Sequence, residues 1–166
     1  YVPQEPFLFA GTIRDNISFA RPEASDQEVL EACRTVGIED LINTLPQGLD
    51  SICHERGASL SSGERQLLAL ARAFLARPRV IVLDEATSNL DLASEVKIER
   101  ALDVLLQGRT SIIIAHRLTT AMRADRIAVV DDGRVIEIGS HKELLKSNGR
   151  YADMYAAWSE HAEEND

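Results

Sequence analysis

The sequence predicts an α/β fold in which one part of the chain is mostly helical and another part builds an open parallel sheet. Residues 10–78 carry apolar residues at helical spacing, as in the run LLALARAFL. Residues 79–139 instead alternate short apolar runs with helical segments, which is typical of parallel strands joined by helices. Ligands bind beyond the carboxyl ends of the strands in such sheets. The residues at those ends are therefore the first candidates for a functional site.

Composition fits a globular protein and argues against several classes of function. The chain has 166 residues, a hydrophobic content of 45% and a net charge of -9. Nucleic-acid binders normally carry a basic face, and docking on an anionic membrane needs a basic patch, so the acidic balance argues against both. No apolar run approaches the roughly 20 residues of a membrane-spanning helix. Cys33 and Cys53 form no C-x-x-C pair, and we expect both to be buried free thiols.

The helical part is bounded by capping signals and prolines. Ser25 and Glu28 have capping-box spacing and open a helix, and Ser61 and Glu64 repeat the signal before the longest apolar helical pattern. The first of these helices is predicted to carry one apolar face, formed by Val29, Leu30 and Cys33. The predicted order is a strand end, turn and apolar loop over residues 1–24, a helix from Ser25 to Gly37, a helix over residues 39–45, a loop over residues 46–60, and a helix from Ser61 that Pro78 closes.

The sheet part begins with a continuous apolar run, Val80 to Leu83, which is expected for a central parallel strand covered on both faces. Asp132-Gly133 is a hairpin turn signal. The predicted order is a strand at residues 80–83, a helix over 93–107, a strand over 111–115, a short helix or turn over 121–124, a hairpin of strands 127–130 and 135–138, and helices near 141–147 and 150–162.

Acidic residues and a histidine follow the two buried strands directly. Asp84 and Glu85 end the first strand, and His116 ends the second. An Asp at that edge can hold Mg²⁺, which takes one or two carboxylates together with phosphate oxygens. The neighbouring Glu can polarise water and the His can bind a phosphate, as phosphoryl transfer requires. Either signal alone also fits a structural role.

A second candidate site is the start of the helix at Ser61. The first turn of a helix offers free N–H groups and the positive end of the helix dipole, which attract anions. Ser61, Ser62 and Gly63 add hydroxyl groups and close approach to the backbone. The alternative interpretation is an ordinary capped helix. A phosphate loop of the form G-x-x-x-x-G-K-[ST] does not occur in the sequence, in which no Gly is followed by Lys.

These segments, in this order, resemble the ATP-binding cassette (ABC) ATPases. LSSGERQLLALARAFLARPRVIVLDEATSNLD resembles the signature motif, the Walker B motif and the D-loop of that family. VPQEPFLFAGTIRDNI resembles its Q-loop segment, IIIAHRLTT resembles its switch-histidine segment, and HERG at residues 54–57 resembles a segment through which exporters contact their membrane domains. The resemblance implies a partial P-loop NTPase (RecA-like) parallel sheet core with an inserted all-helical ABC subdomain.

The resemblance implies a role for each matching residue near a bound nucleotide. Asp84 would hold Mg²⁺, and Glu85 would be the general base or the water-polarising carboxylate. Gln4 would approach Mg²⁺ and the attacking water and would couple the site to the membrane domain. His116 would contact the γ-phosphate. ATP and Mg²⁺ are the implied cofactors.

Other residues would act on a nucleotide held by a partner subunit. Ser61, Ser62, Gly63 and Glu64 stand at the signature motif and would meet the γ-phosphate of the partner's ATP, while Asp91 in the D-loop would lie at the subunit interface. The chain departs from the usual family pattern at Ser62 and Glu64, where Gly and often Gln are found, at Asn89, where Ala is common, and at His54, where exporters often have Gly.

The residues of the motifs are similar to those of the exporter branch of the family. The implied partners are a second ATP-binding domain and the transmembrane domains of the same transporter, with no nucleic acid, at the cytoplasmic face of the plasma membrane. The alternatives are an importer ATPase subunit and an ABC-type ATPase of DNA maintenance. The acidic charge and the switch-histidine segment argue against the second alternative.

The first residue is Tyr1 rather than Met, and the resemblance places the phosphate loop upstream of Gln4. We therefore expect the chain to be part of a longer ATPase and to be inactive by itself. The expected divisions are the Q-loop strand and loop at residues 1–9, the helical subdomain at 10–78, the second half of the nucleotide-binding core at 79–140, and C-terminal helices and tail at 141–166.

Overall fold

A computed structural model describes residues 1–84 and 91–163 of the chain, with side chains described as far as residue 159. The chain divides into two compact units, Tyr1–Ile114 and Ala115–Asp166. In the described residues no helix combines the length and the apolar character that a bilayer crossing requires.

Helices and a small parallel sheet build the first unit, which confirms the predicted α/β class. Five helices and four strands lie in its described part. The helices are α1 (Ile13–Ser18), α2 (Asp26–Thr35), α3 (Glu39–Thr44), α4 (Ser62–Leu75) and α5 (Leu92–Leu106), and the strands are β1 (Gly11–Thr12), β2 (Ile52–Cys53), β3 (Val80–Asp84) and β4 (Thr110–Ile114).

Strand β3 lies between two parallel neighbours. On one side it pairs with β4 in a register that sets Asp84 opposite Ile114. On its other side it meets Val2 in a parallel bridge to Leu83. The Val2 amide donates to the carbonyl of Val82 over 2.8 Å, and the Asp84 amide donates to the carbonyl of Val2 over 2.9 Å. The residues just before the predicted Q-loop are therefore part of the same sheet.

The sheet is covered on one face only among the described residues, which corrects the expectation of cover on both faces. Ile81 and Leu83 are buried and share the main core with residues of α4 and α5. Val80 and Ile112 are 53% and 57% exposed. Alternate residues of a strand face opposite sides, so the helices of this unit account for one side of the sheet.

Capping boxes open three of the helices in this unit. The two predicted boxes, at Ser25 and Ser61, are both present. A third at Thr12 opens α1, where the sequence pattern predicted an apolar loop. That prediction was wrong because α1 has only six residues, too few to show a helical period. Its cap also uses Asp15, where the usual box has Glu or Gln.

Helix α4 is the centre of the core. Every residue from Leu67 to Ala71 is buried, so the middle of the helix is enclosed on all sides. It packs against α1, α2 and α5. On α2 the buried face contains Val29, Ala32 and Cys33. Leu30, which was predicted to share that face, is 37% exposed.

The predicted loop over residues 46–60 contains local structure. It holds β2, which pairs with β1 in antiparallel orientation, and two single-turn 3-10 helices, Gly48–Asp50 and Glu55–Gly57. The second helix has a left-handed backbone at Arg56 and Gly57, with φ of 59° and 64°. A Cβ at Gly57 would lie 2.8 Å from a methyl group of Leu8, so the close approach of these segments depends on that glycine.

The second unit contains the predicted hairpin and terminal helices. Its turn residues, Asp132 and Gly133, have φ of 44° and 71°, as a two-residue turn with two positive φ angles requires. The carboxylate of Glu137 accepts the backbone N–H groups of Arg150 and Tyr151 and so caps the last helix. The elements are α6 (Leu118–Met122), β5 (Ile127–Asp131), β6 (Arg134–Gly139), α7 (His141–Lys146) and α8 (Arg150–Glu163).

Candidate functional site

The structure brings two predicted site residues to one edge of the sheet. Asp84 is the last residue of β3, and Gln4 follows Val2, the residue that bridges to Leu83 on that strand. Because the two segments are parallel, both leave the sheet in the same direction. Asp84 and Gln4 therefore start from the edge where parallel sheets bind their ligands.

The carboxylate of Asp84 is within reach of polar groups at this edge. The Tyr1 hydroxyl donates a hydrogen bond to Asp84 Oδ2 over 3.2 Å. Desolvation, followed by that bond, raises the pKa of the Tyr1 phenol, so the phenol stays protonated and can donate at neutral pH. A hydroxyl donor of this kind can orient a carboxylate without neutralising it.

Glu85 and His116 are the other residues predicted for this edge of the sheet. Glu85 lies outside the described residues, as does Asn89. His116 belongs to the second unit and follows Ile114, the partner of Asp84 in the parallel ladder, by two positions. Convergence of Asp84, Glu85 and His116 on one nucleotide remains a prediction.

The signature residues form the capped start of α4. The Ser61 hydroxyl accepts the Glu64 amide over 3.2 Å, and the Ser61 amide donates to the Glu64 carboxylate over 2.7 Å. Ser62 is exposed and Gly63 is buried. The helix start thus presents a hydroxyl group and backbone to solvent, together with a carboxylate that bonds to the N-cap.

Asp91 is the N-cap of α5. Its carboxylate accepts the amide of Ser94 over 2.9 Å and the hydroxyl of Ser94 over 2.7 Å. The bonds from the Ser94 side chain and backbone lower the pKa of Asp91. The predicted D-loop residue therefore fixes where the helix begins, while its predicted place at a subunit interface remains a prediction.

A polar network that the sequence interpretation missed connects α4 to the segment after Gln4. Arg72 reaches out of the middle of α4 and donates to the carbonyls of Asn16 and Phe7 over 2.7 and 3.1 Å and to Asn16 Oδ1 over 3.1 Å. Burial lowers the pKa of its guanidinium. The available signal was an Arg within an otherwise apolar run, LLALARAFL.

Three phenylalanines surround this network and form what we call the aromatic patch, defined as Phe7, Phe9 and Phe19. Phe9 contacts Phe7 edge to face at 5.0 Å and stacks on Phe19 at 4.5 Å. The guanidinium of Arg72 lies 5.6 and 5.8 Å from the Phe9 and Phe19 ring centres. Each ring is between 39% and 58% exposed, so the patch presents apolar surface to solvent.

Metal-binding side chains are dispersed in the part of the chain that the structure describes. No group of three or more His, Cys, Asp or Glu residues is placed there to hold a metal ion. Such a group is needed for a zinc or calcium site made by protein alone. A Mg²⁺ ion bound with a nucleotide needs only one or two carboxylates, and Asp84 alone meets that requirement.

The two cysteines are buried free thiols, as predicted. Desolvation raises the pKa of Cys33 to about 11 and also raises that of Cys53. Both side chains are therefore protonated near neutral pH, and neither has the low pKa of a reactive thiol.

A surface depression of about 370 Å³ lies in the helical part of the first unit. Arg14 lies beside it and forms ion pairs with Asp26 and Asp50. These pairs connect α1, α2 and the turn before β2. Because the charges satisfy one another, the depression is explained by packing and adds no residue to the edge near Asp84.

The chain is similar to a known family and to named bacterial proteins. Residues 1–88 match the family model described as ABC transporter. The chain is 50% identical over 155 residues to an uncharacterized ABC transporter ATP-binding protein, YfiC, of Bacillus subtilis (strain 168), covering 93% of this chain and 26% of that protein. It is 47% identical over 155 residues to a protein of Staphylococcus aureus (strain NCTC 8325 / PS 47) named as a candidate multidrug export ATP-binding/permease protein, covering 93% and 27%.

A solved structure shows the same architecture. The structure of a bacterial Atm1-family ABC exporter with ATP bound superimposes with a TM-score of 0.83 at 44% identity, over 95% of this chain and 27% of that one. The chain thus spans about a quarter of the length of the relatives that it matches.

Proposed function

The chain belongs to the ABC transporter family, and we propose that it is the C-terminal part of the ATP-binding domain of an exporter. In the whole protein, ATP hydrolysis would drive a substrate across a membrane. The observation that carries this proposal is the parallel junction of Val2 with β3, which directs Gln4 and Asp84 to one sheet edge. An acid and an amide at that edge suit a Mg²⁺-nucleotide.

Similarity favours an exporter over the two alternatives. The S. aureus relative is named for multidrug export and carries both ATP-binding and permease functions in its name, and the superimposed structure is an ABC exporter. An importer ATPase subunit is the second candidate, because the residues within the shared motifs are the main feature that separates importers from exporters. A role in DNA maintenance fits less well, because the net charge of -9 opposes binding to a polyanion.

The residues of this chain would serve the nucleotide in distinct ways. Asp84 would hold Mg²⁺, and Gln4 would orient the attacking water. Glu85 would accept a proton from that water or polarise it, and His116 would donate a hydrogen bond to the γ-phosphate. Mg²⁺, when bound, supplies positive charge beside the phosphate oxygens. The remaining phosphate contacts would come from a phosphate loop, which this sequence does not contain.

The exposed start of α4 would serve a second ATP-binding domain. Ser61, Ser62 and Gly63 combine hydroxyl groups with the positive end of a 14-residue helix, which suits a phosphate held by a partner. Asp91 would lie at the same interface. ATP would then join two domains head to tail, and hydrolysis would release them.

The aromatic patch and residues 54–57 would face the transmembrane domains. Phe7, Phe9 and Phe19 present apolar rings beside the guanidinium of Arg72, a composition that is enriched at protein interfaces. The whole protein would accordingly be membrane-bound, with this domain at the cytoplasmic face.

The test uses the full-length protein in proteoliposomes. Wild type is expected to hydrolyse ATP with Mg²⁺ and to transport a substrate. Glu85→Gln should lose about 10²–10⁴-fold in turnover while keeping ATP binding, because an amide cannot accept the proton. Glu99→Gln, an exposed carboxylate on α5, is the matched control and should behave as wild type. Undiminished hydrolysis in Glu85→Gln would remove Glu85 from the mechanism, and DNA-stimulated hydrolysis would favour the maintenance ATPases.

A further inference from the structure

The guanidinium of Arg72 donates three hydrogen bonds, one to Phe7, which follows Gln4 by three positions, and two to Asn16 of α1. Two of them end on the backbone carbonyls of Phe7 and Asn16 and the third ends on the Asn16 side chain. A guanidinium has five donors in a rigid planar fork. Arg72 can therefore hold several acceptors in one fixed arrangement, and it does so from the middle of the most buried helix.

Asn16 extends this network to the next residues of the segment. Its side chain accepts the Phe9 amide over 2.9 Å and donates to the carbonyls of Phe9 and Thr12 over 2.9 and 3.1 Å. Asn16 is 1% exposed, so these bonds are shielded from water. Phe7 is thus bonded to α4 directly, and Phe9 is bonded to it through Asn16.

Gln4 lies between this network and the sheet. Val2 is bonded on its amide and carbonyl to β3, and Phe7 is bonded to Arg72. The connection from Pro3 to Pro6 is four residues long and has a proline at each end, which fixes φ there. A residue spans at most about 3.6 Å, so a shift of α4 relative to β3 is confined to these four residues as long as the bonds at Val2 and Phe7 hold.

We propose that Arg72 is a positioning residue that sets the place of Gln4 according to the position of α4. Because α4 begins at the signature residues, the arrangement would report the state of the partner's nucleotide to Gln4, which leaves the sheet at the same edge as Asp84. The inference rests on the proposed function for the role of Gln4. The connection between α4 and β3 is inferred from the bonds at Val2 and Phe7 and does not depend on the role of Gln4.

The first experiment measures the connection directly in the full-length protein. Glu5→Cys places a thiol at an exposed position between the two anchors, and a nitroxide attached there reports motion of the segment. Cys33 and Cys53 are buried and should remain unlabelled, and other accessible cysteines of the whole protein are replaced first. The spectrum of the otherwise wild-type protein should show restricted motion.

Two substitutions of Arg72 should release the segment. Arg72→Gln removes the charge and most of the donors, and Arg72→Lys keeps the charge but lacks the planar fork. Both should give a more mobile nitroxide at position 5. The matched control is Arg77→Gln, which changes an exposed arginine just after α4 that pairs with Glu28 at 3.5 Å, and its spectrum should match wild type. Arg72→Lys keeps the test valid if Arg72→Gln fails to fold.

Kinetics distinguish positioning from support of the fold. Misplacing a reacting group by about 1 Å can cost about 10²-fold, so both Arg72 variants should lose about 10–100-fold in kcat. KM for ATP should stay within about twofold, since Arg72 contacts no proposed nucleotide ligand. A variant in which kcat and ATP binding fall together would overturn the proposal.

Two further results would also overturn it. One is a nitroxide equally restricted in wild type and both Arg72 variants. The other is a mobile nitroxide with unchanged kcat. Failure of the proposed function would look different, because the wild-type protein would then lack ATP hydrolysis while the spectra would still report whether Arg72 holds the segment.

Discussion

The Asp84 amide donates to the Val2 carbonyl over 2.9 Å, and these two residues are thereby fixed to each other across the sheet. The bond is short in space but long in sequence, since it joins the second residue of the chain to Asp84. It places the carboxylate proposed for Mg²⁺ beside the segment that carries Gln4. Each part of the proposed nucleotide site therefore depends on the other for its position.

Asp84→Asn should weaken the dependence of hydrolysis on Mg²⁺. The amide oxygen is neutral and binds a hard cation less well than a carboxylate. We expect the half-saturating Mg²⁺ concentration to rise at least about tenfold. Even substitutions of residues that only hydrogen-bond to a metal ligand lower metal affinity or activity by about 10–100-fold. A Mg²⁺ titration of ATPase activity in the full-length protein measures this. Asp103→Asn, an exposed carboxylate on α5, is the control, and an unchanged titration in Asp84→Asn would exclude Asp84 as a ligand.

Glu64→Gln should strengthen ATP-dependent association of two domains. The Glu64 carboxylate lies at the helix start, bonded to the Ser61 amide, where the partner's phosphate is proposed to bind. Removing a like charge at an exposed site is worth up to about 1 kcal/mol, which lowers the ATP concentration for half-maximal association by up to about fivefold. This difference in ATP concentration between Glu64→Gln and wild type should become smaller at high salt, which screens the charge. Glu23→Gln changes an exposed carboxylate and serves as the control. Weaker association of Glu64→Gln would contradict the prediction and would mean that the helix cap formed by the Glu64 carboxylate outweighs its repulsion of the phosphate.

The 166-residue chain by itself should bind ATP weakly and hydrolyse none. Its sequence has no phosphate loop, and the backbone N–H groups and Lys of such a loop supply most phosphate contacts. Titration calorimetry should give a dissociation constant weaker than about 1 mM, with less than about 4 kcal/mol of binding free energy. The full-length protein under the same conditions is the control. Micromolar affinity of the 166-residue chain would show that other residues hold the phosphates.

Glu28 should make the fold sensitive to acid. Bonds from the Ser25 backbone and the Arg21 side chain lower the pKa of Glu28 from 4.5 to about 2. A carboxyl group whose pKa is lower when folded stabilises the fold fully above its unfolded pKa, and this stabilisation is lost as the pH falls through about 2. Wild type should therefore lose more of its unfolding free energy between pH 5 and pH 2 than Glu28→Gln.

Urea unfolding followed by circular dichroism over that pH range measures the Glu28 contribution. Glu31→Gln changes an exposed carboxylate on the same helix and should keep the acid sensitivity of wild type. An identical pH dependence in Glu28→Gln and wild type would contradict the prediction.

Local signals in the sequence predicted most of the elements that carry the site. Helix α4 was predicted because Ser61, Glu64 and Pro78 mark its ends and its apolar period is long. Strand β3 was predicted because an apolar run meets an acid at its end. Both signals lie within the element itself, so no tertiary information was needed.

The missed features depend on contacts between distant residues. Arg72 and Asn16 are 56 positions apart, and neither residue type reveals its partner in a single sequence. Helix α1 is too short for a period. The exposure of Leu30 depends on which neighbours pack on α2, because a helix with apolar residues on adjacent faces can bury either one.

The pairing of Val2 with β3 also has a consequence for how the chain folds. Residues 3–79 leave the sheet and return to it, so Val2 can pair with β3 only after this long loop closes. Doubling a loop of this size costs only about 0.6 kcal/mol in closure entropy. Residues can therefore be inserted into or deleted from this long connection during evolution at little cost in the free energy of sheet formation. Folding, by contrast, should be slowed by this non-local step.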